Sequence, residues 1–307
     1  MSMSAGEAGG RGGVVSFVMR HPHSTERGTV EKMCLDLARK KSVRSWLLLL
    51  TAGLLACAPA ARAADLNWLD IECRIQYGYF TEDTRSLHNL VEPLGSNDSH
   101  DRLKSYYSGL LAYRLTLLAQ AQADQSAAGK TPAPVRRNDR SKNEARQTVE
   151  RCVGALDQAL EVQSNFAEAL ALQSACLGML ADLSTWRAPL AAPKSATQLR
   201  KALQIAPKNP RVLLLDAISD YEHTKVPGGD AEHPCVKFKA VAALFDAERA
   251  DVDQVPGWGA AEAYMWLGRC YLEIGNPNEA RDALERALLI APEFGQARRL
   301  LATITSG

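Results

Sequence analysis

The chain has 307 residues, with 36 Lys and Arg against 35 Asp and Glu, 46% apolar residues and 6% aromatics. That length suffices for one large domain or two modest ones, and a net charge of +1 gives no electrostatic footprint for nucleic acid. Alanine and leucine dominate while β-branched and aromatic residues are sparse, which favours helices over sheets.

Residues 1–32 are Gly-rich and aperiodic, and are expected to be a misassigned start or a disordered extension. Residues 33–63 read as a signal peptide. Arg39, Lys40, Lys41 and Arg44 precede the apolar run Trp46–Cys57, which ends in Pro59 and the small-x-small site Ala61-Arg62-Ala63. The run falls short of the roughly 20 apolar residues that a membrane-spanning helix needs, so no transmembrane helix is expected. Cleavage after Ala63 would leave Ala64 first and place the body in the periplasm or outside the cell. A second ending is open, because Leu54-Leu55-Ala56-Cys57 is similar to the lipobox of bacterial lipoproteins and would anchor the chain through an acylated Cys57.

The body that remains has a slight acidic excess. Its Cys73, Cys152, Cys176, Cys235 and Cys270 are irregularly spaced, without a Cys-x-x-Cys pair or a zinc-type array. The spacing defines no disulfide framework, and most of these residues read as small buried thiols on helices.

Residues 64–123 are expected to be N-terminal helices, a hairpin of Leu66–Tyr79 and Glu82–Leu94 followed by a long helix from Asp101 to Ala123. Residues 124–140, rich in charge, Pro and Gly, read as a disordered insertion. Beyond them helix-B endings recur at Ala155–Val162, Leu199–Pro207, Ala240–Ala247 and Ala283–Pro292. Each leads into another amphipathic helix, at 166–183, 210–223, 258–274 and 294–304. Further insertions fall at Ser184–Pro193 and Thr224–Pro234.

Tyr264, Leu267, Gly268 and Tyr271, followed by Ala280, Leu284, Ala287 and Pro292, resemble the tetratricopeptide repeat (TPR), a helix-turn-helix with the pattern W-x2-L-G-x2-Y, A-x3-F and a closing proline. Gly268 would let the repeat's first helix approach the second at Ala280. The segment from Asn209 through Pro227-Gly-Gly-Asp230 to Trp258 is also similar to a set of uncharacterised exported bacterial TPR proteins. The resemblance implies an all-α fold: a right-handed α-solenoid over 141–305 with an N-terminal helical hairpin and a C-terminal capping helix. It further implies a concave wall made by each repeat's first helix, with Arg211, Leu214, Tyr221, Glu262, Met265, Arg269 and Glu273 facing a protein or peptide partner.

Asp216, Asp220 and His223, at i, i+4 and i+7, form the one candidate metal face, set against its reading as the polar side of an amphipathic helix. Pro227-Gly-Gly-Asp230 lacks the strand and the Lys-Ser/Thr of a phosphate loop, and no hydrolase, zinc-protease or dinucleotide fingerprint occurs. The expectation is an exported scaffold that binds a partner in the cell envelope, without catalysis or cofactor. A periplasmic metal-binding protein and a lipoprotein tether are the alternatives.

Overall fold

The structure, a computed structural model, describes residues 66–95, 101–128, 135–224, 232–248 and 255–305. The signal peptide, the Ala63 site and Cys57 lie outside the described residues. Among the described residues every regular element is a helix. In chain order they are α1 (Trp68–Phe80), α2 (Thr84–His88), α3 (Val91–Gly95), α4 (Arg102–Ala128), α5 (Val135–Val162), α6 (Ala167–Leu183), α7 (Ala188–Ile205), α8 (Pro210–Thr224), α9 (Glu232–Ala247), α10 (Ala260–Glu273), α11 (Pro277–Ile290) and α12 (Gly295–Thr305).

Local chemistry places the helix ends. Asn67 Oδ1 accepts the Asp70 N–H at 3.1 Å to open α1, and Asn209 Oδ1 accepts the Arg211 N–H at 2.9 Å before Pro210 opens α8. Between α10 and α11, Gly275 takes a φ of +80°, and Pro277 then fixes the first turn of α11.

The helices pack as successive hairpins, α4 on α5, α6 on α7, α8 on α9 and α10 on α11, each against the next, with α12 closing the array. This is an α-solenoid of TPR-like repeats. Gly268 on α10 meets α11 so closely that an added Cβ would lie 2.6 Å from Leu284 Cγ and 3.2 Å from the Ala280 carbonyl oxygen. Gly109 on α4 stands in the same relation to Leu156 on α5, again at 2.6 Å. In the second hairpin the close pair is Ser174 and Ser195, whose hydroxyls lie 3.0 Å apart.

Three details depart from expectation. Residues 124–128 and 135–140, expected to be unstructured, are the end of α4 and the start of α5, with 129–134 outside the described residues. Ala127, Ala128, Arg136, Arg137 and Arg140 are good helix formers, which favours helix on both described stretches. On α9 the buried face is Cys235, Phe238, Val241, Ala242 and Phe245, whereas Ala240 and Ala247, which bound the expected helix-B ending, are exposed. The larger Phe238 and Phe245 gain more from burial than the alanines and set which side turns inward.

The third concerns the cysteines: all five of Cys73, Cys152, Cys176, Cys235 and Cys270 are disulfide-bonded rather than buried thiols. Cys152 on α5 is bonded to Cys176 on α6, and Cys235 on α9 to Cys270 on α10, with Cα–Cα separations of 6.3 and 5.6 Å. Each bridge joins the second helix of one hairpin to the first helix of the next. Cys176 and Cys270 occupy equivalent places, two residues past Ser174 and Gly268. This regularity is structural, because linear spacing is scrambled by the unequal turns between the helices.

Candidate functional site

The inner wall is built from α4, α6, α8 and α10, the first helices of the hairpins. α4 is buried on every side along its middle, where Tyr106, Tyr107, Leu110, Leu111, Tyr113, Arg114 and Thr116 all lie inside. A helix buried around its whole circumference needs neighbours all round. Besides α5 and α6, its neighbours are α1, α2 and α3, and the segment leading into α10, where Trp258 bonds Tyr106.

These meet in a buried polar network. The Tyr107 hydroxyl donates to Glu72 Oε2 at 2.6 Å, and the Gly257 N–H donates to both carboxylate oxygens of Glu72 at 2.9 and 3.0 Å. Trp258 Nε1–H donates to the Tyr106 hydroxyl oxygen at 2.8 Å. Arg114 pairs with Glu262, donates to Gln76 Oε1 at 3.3 Å, and places its guanidinium 4.2 Å from the ring centre of Tyr79 and 5.1 Å from that of Trp258. Burial pushes the Glu72 carboxyl above its ordinary range despite the Tyr107 and Gly257 donors and the charge of Arg211. Burial also pushes the Tyr79 hydroxyl up to about 12. Arg114 is held charged by Glu262 against the opposing effect of burial. Gln76 Nε2, Arg114 Nε and Glu262 Oε2 have no hydrogen-bond partner.

The sequence-predicted wall residues all lie on α8 and α10, but five of the seven, Arg211, Leu214, Tyr221, Glu262 and Met265, are buried. They do not line an open surface. Arg211 is bidentate to Glu248 at 2.8 and 3.0 Å and lies near enough to Glu72 to lower its pKa; Glu262 is committed to Arg114. Leu214 and Met265 belong to the core. Arg269 and Glu273 remain accessible, yet each has a contact: Arg269 lies 5.1 Å from the Trp266 ring centre, and Glu273 accepts the Tyr221 hydroxyl. The missed residues are Glu72, Gln76, Tyr79 and Arg114. Their signal in the sequence was polar and charged groups inside otherwise apolar helices.

Helix α1 also meets the C-terminal part of the described array. Phe80 and Phe294 have ring centres 4.6 Å apart, Tyr79 and Phe294 5.9 Å, and Arg299 on α12 pairs with Glu82 just after α1. Arg299 thus ties the terminal helix to the residues just after α1.

The candidate metal face is occupied by a cation of the chain itself. Lys237 on α9 places its ammonium 2.7 Å from Asp216 and in contact with Asp220, while the His223 ring sits 2.6 Å from the Ser219 carbonyl oxygen. Among the described residues no group of three or more His, Cys, Asp and Glu is arranged to hold a metal ion, and no helix is long and apolar enough to cross a membrane.

No curated protein matches the chain. Residues 261–294, which run from α10 through α11 to Phe294, match the family model described as tetratricopeptide repeat. That match falls on the hairpin whose Gly268–Leu284 contact recurs at Gly109–Leu156, and it identifies residues 261–294 as a tetratricopeptide repeat.

Proposed function

We propose that this protein is an exported TPR scaffold that binds a protein or peptide partner in the cell envelope, as an adaptor or assembly factor without chemistry of its own. TPR repeats mediate protein–protein interaction, and that general role is carried by the repeat at 261–294.

The observation that supports export is the pair of equivalent bridges, Cys152–Cys176 and Cys235–Cys270, because disulfides persist in oxidising compartments and are rare in the cytosol. The basic leader and the Ala61-Arg62-Ala63 site agree with it. Partner recognition is assigned to the accessible part of the inner wall around Arg269 and Glu273. The test has two arms. Protein recovered from the periplasm of an expressing bacterium should begin at Ala64 by intact mass, and a full-length cytoplasmic product refutes export; an acylated Cys57 replaces release with anchoring. Cross-linking from envelope extract should capture a defined partner with wild type and lose it with Arg269→Glu, which leaves the Tyr221–Glu273 bond in place.

A further inference from the structure

The concave side of a TPR array is where an extended peptide or a partner's helix would lie, and here a helix already lies against it. α1 presents Glu72, Gln76, Tyr79 and Phe80, at i, i+4, i+7 and i+8, to α4, to the Gly257–Glu262 segment and to Phe294. Those are the contacts a docked ligand helix would make: its carboxylate held by a tyrosine hydroxyl and a backbone N–H beside Arg211, its aromatic pair against a phenylalanine and a guanidinium. Arg114 of α4 bridges Gln76 on α1 and Glu262 on α10. The fit is also incomplete, because Gln76 Nε2, Arg114 Nε and Glu262 Oε2, all buried, are left without hydrogen bonds.

We infer that α1 is an internal stand-in for the partner: the inner wall recognises an amphipathic helix with a carboxylate followed by an amide one turn on and an aromatic pair two turns on, and such a helix binds by displacing α1. This rests on the scaffold reading and specifies its ligand. Residues of α1 compete with the partner, so the apparent affinity for an external helix is the intrinsic one reduced by the fraction of molecules in which α1 has opened. A partner that supplies an acceptor to Arg114 Nε or a donor to Glu262 Oε2 has the advantage that α1 lacks.

The probe is a fluorescent peptide of residues 66–81 with Cys73→Ser, titrated against full-length chain. In the chain, Phe80→Ala with Glu82→Arg unhooks α1 from Phe294 and Arg299 and leaves every wall residue intact. The unhooked chain should bind the peptide at least about tenfold tighter than wild type, and a peptide with Glu72→Lys should lose that binding. Equal affinity for both chains, or equal binding of both peptides, overturns the inference. Should the unhooked chain fail to fold, hydrogen exchange on wild type decides: α1 amides should exchange through an opening that leaves α4 and α10 protected, and exchange only on global unfolding overturns it. Either negative result leaves the scaffold reading standing. That reading fails separately, when envelope cross-linking finds no partner.

Discussion

Arg114 and Glu262, 148 positions apart in the chain, form an ion pair in which both side chains are almost wholly removed from solvent. It joins the first helix of the first hairpin to the first helix of the last, so the two ends of the array are coupled directly as well as through the repeats between them. In a solenoid whose units touch only their neighbours, no such contact exists.

Removing one member of this pair should therefore act on the whole molecule. Glu262→Gln is expected to cost about 3–5 kcal/mol by leaving the Arg114 charge buried without its partner, whereas Arg114→Met with Glu262→Leu should cost much less, since a buried pair replaced by apolar groups of similar size is often nearly neutral. Urea unfolding followed by circular dichroism measures both. A double variant as unstable as the single one would mean that the pair contributes more than its desolvation costs.

Glycines at two helical positions should respond with opposite sign. At Gly268 the added Cβ of alanine meets Leu284 and the Ala280 carbonyl, so Gly268→Ala should destabilise by about 1–3 kcal/mol in spite of alanine's better helix propensity. At Gly154 on α5 nothing lies within 4 Å, and Gly154→Ala should stabilise by about 0.5–1 kcal/mol. Thermal unfolding of the two variants beside wild type is sufficient to compare the signs.

The same glycine explains how far the fold could be read in the sequence. Gly268 stands inside a complete pattern of Tyr264, Leu267, Tyr271, Ala280 and Leu284, so the last hairpin was legible. Gly109 makes the equivalent contact, but Ser105 and Ser108 stand where the last repeat has Tyr264 and Leu267. The first hairpin was consequently read as N-terminal helices and an insertion. Repeat register fixes which side of a helix turns inward, and it puts the seven candidate residues on α8 and α10, where five of them are buried. That this side is covered by α1 depends on contacts such as Glu72 with Gly257, 185 residues apart, for which no local pattern exists.

The two bridges close loops spanning 24 and 35 residues, for which loop-closure entropy gives about 3–4 kcal/mol each. Cys235→Ser with Cys270→Ser should lower the urea midpoint accordingly. Denatured, unreduced protein from an oxidising compartment should yield peptides linking 152 to 176 and 235 to 270 by mass spectrometry. Free thiols at these four positions in such a preparation would refute the pairing.

Glu72 should make stability depend on pH. Its folded-state pKa is raised above 4.5, mainly by burial, so the folded protein binds this proton more tightly than the unfolded chain. The resulting contribution is full below 4.5 and is lost as pH rises through the elevated folded value, while Tyr107, Arg211 and the Gly257 N–H limit its size. Glu72→Gln keeps an acceptor oxygen and removes the titration. Relative to that variant, wild type should lose unfolding free energy as pH increases above 4.5, read from paired urea titrations; a pH-independent difference would show that folding does not raise the Glu72 pKa.

The central claim, an array whose ends are joined through α1, is tested most directly between Glu82 and Arg299. Glu82→Cys with Arg299→Cys, treated with a short bifunctional thiol reagent in dilute solution and mapped by mass spectrometry, should give an intramolecular 82–299 cross-link in most molecules. An open solenoid with a free concave face would instead leave the two positions unlinked, or linked only between molecules.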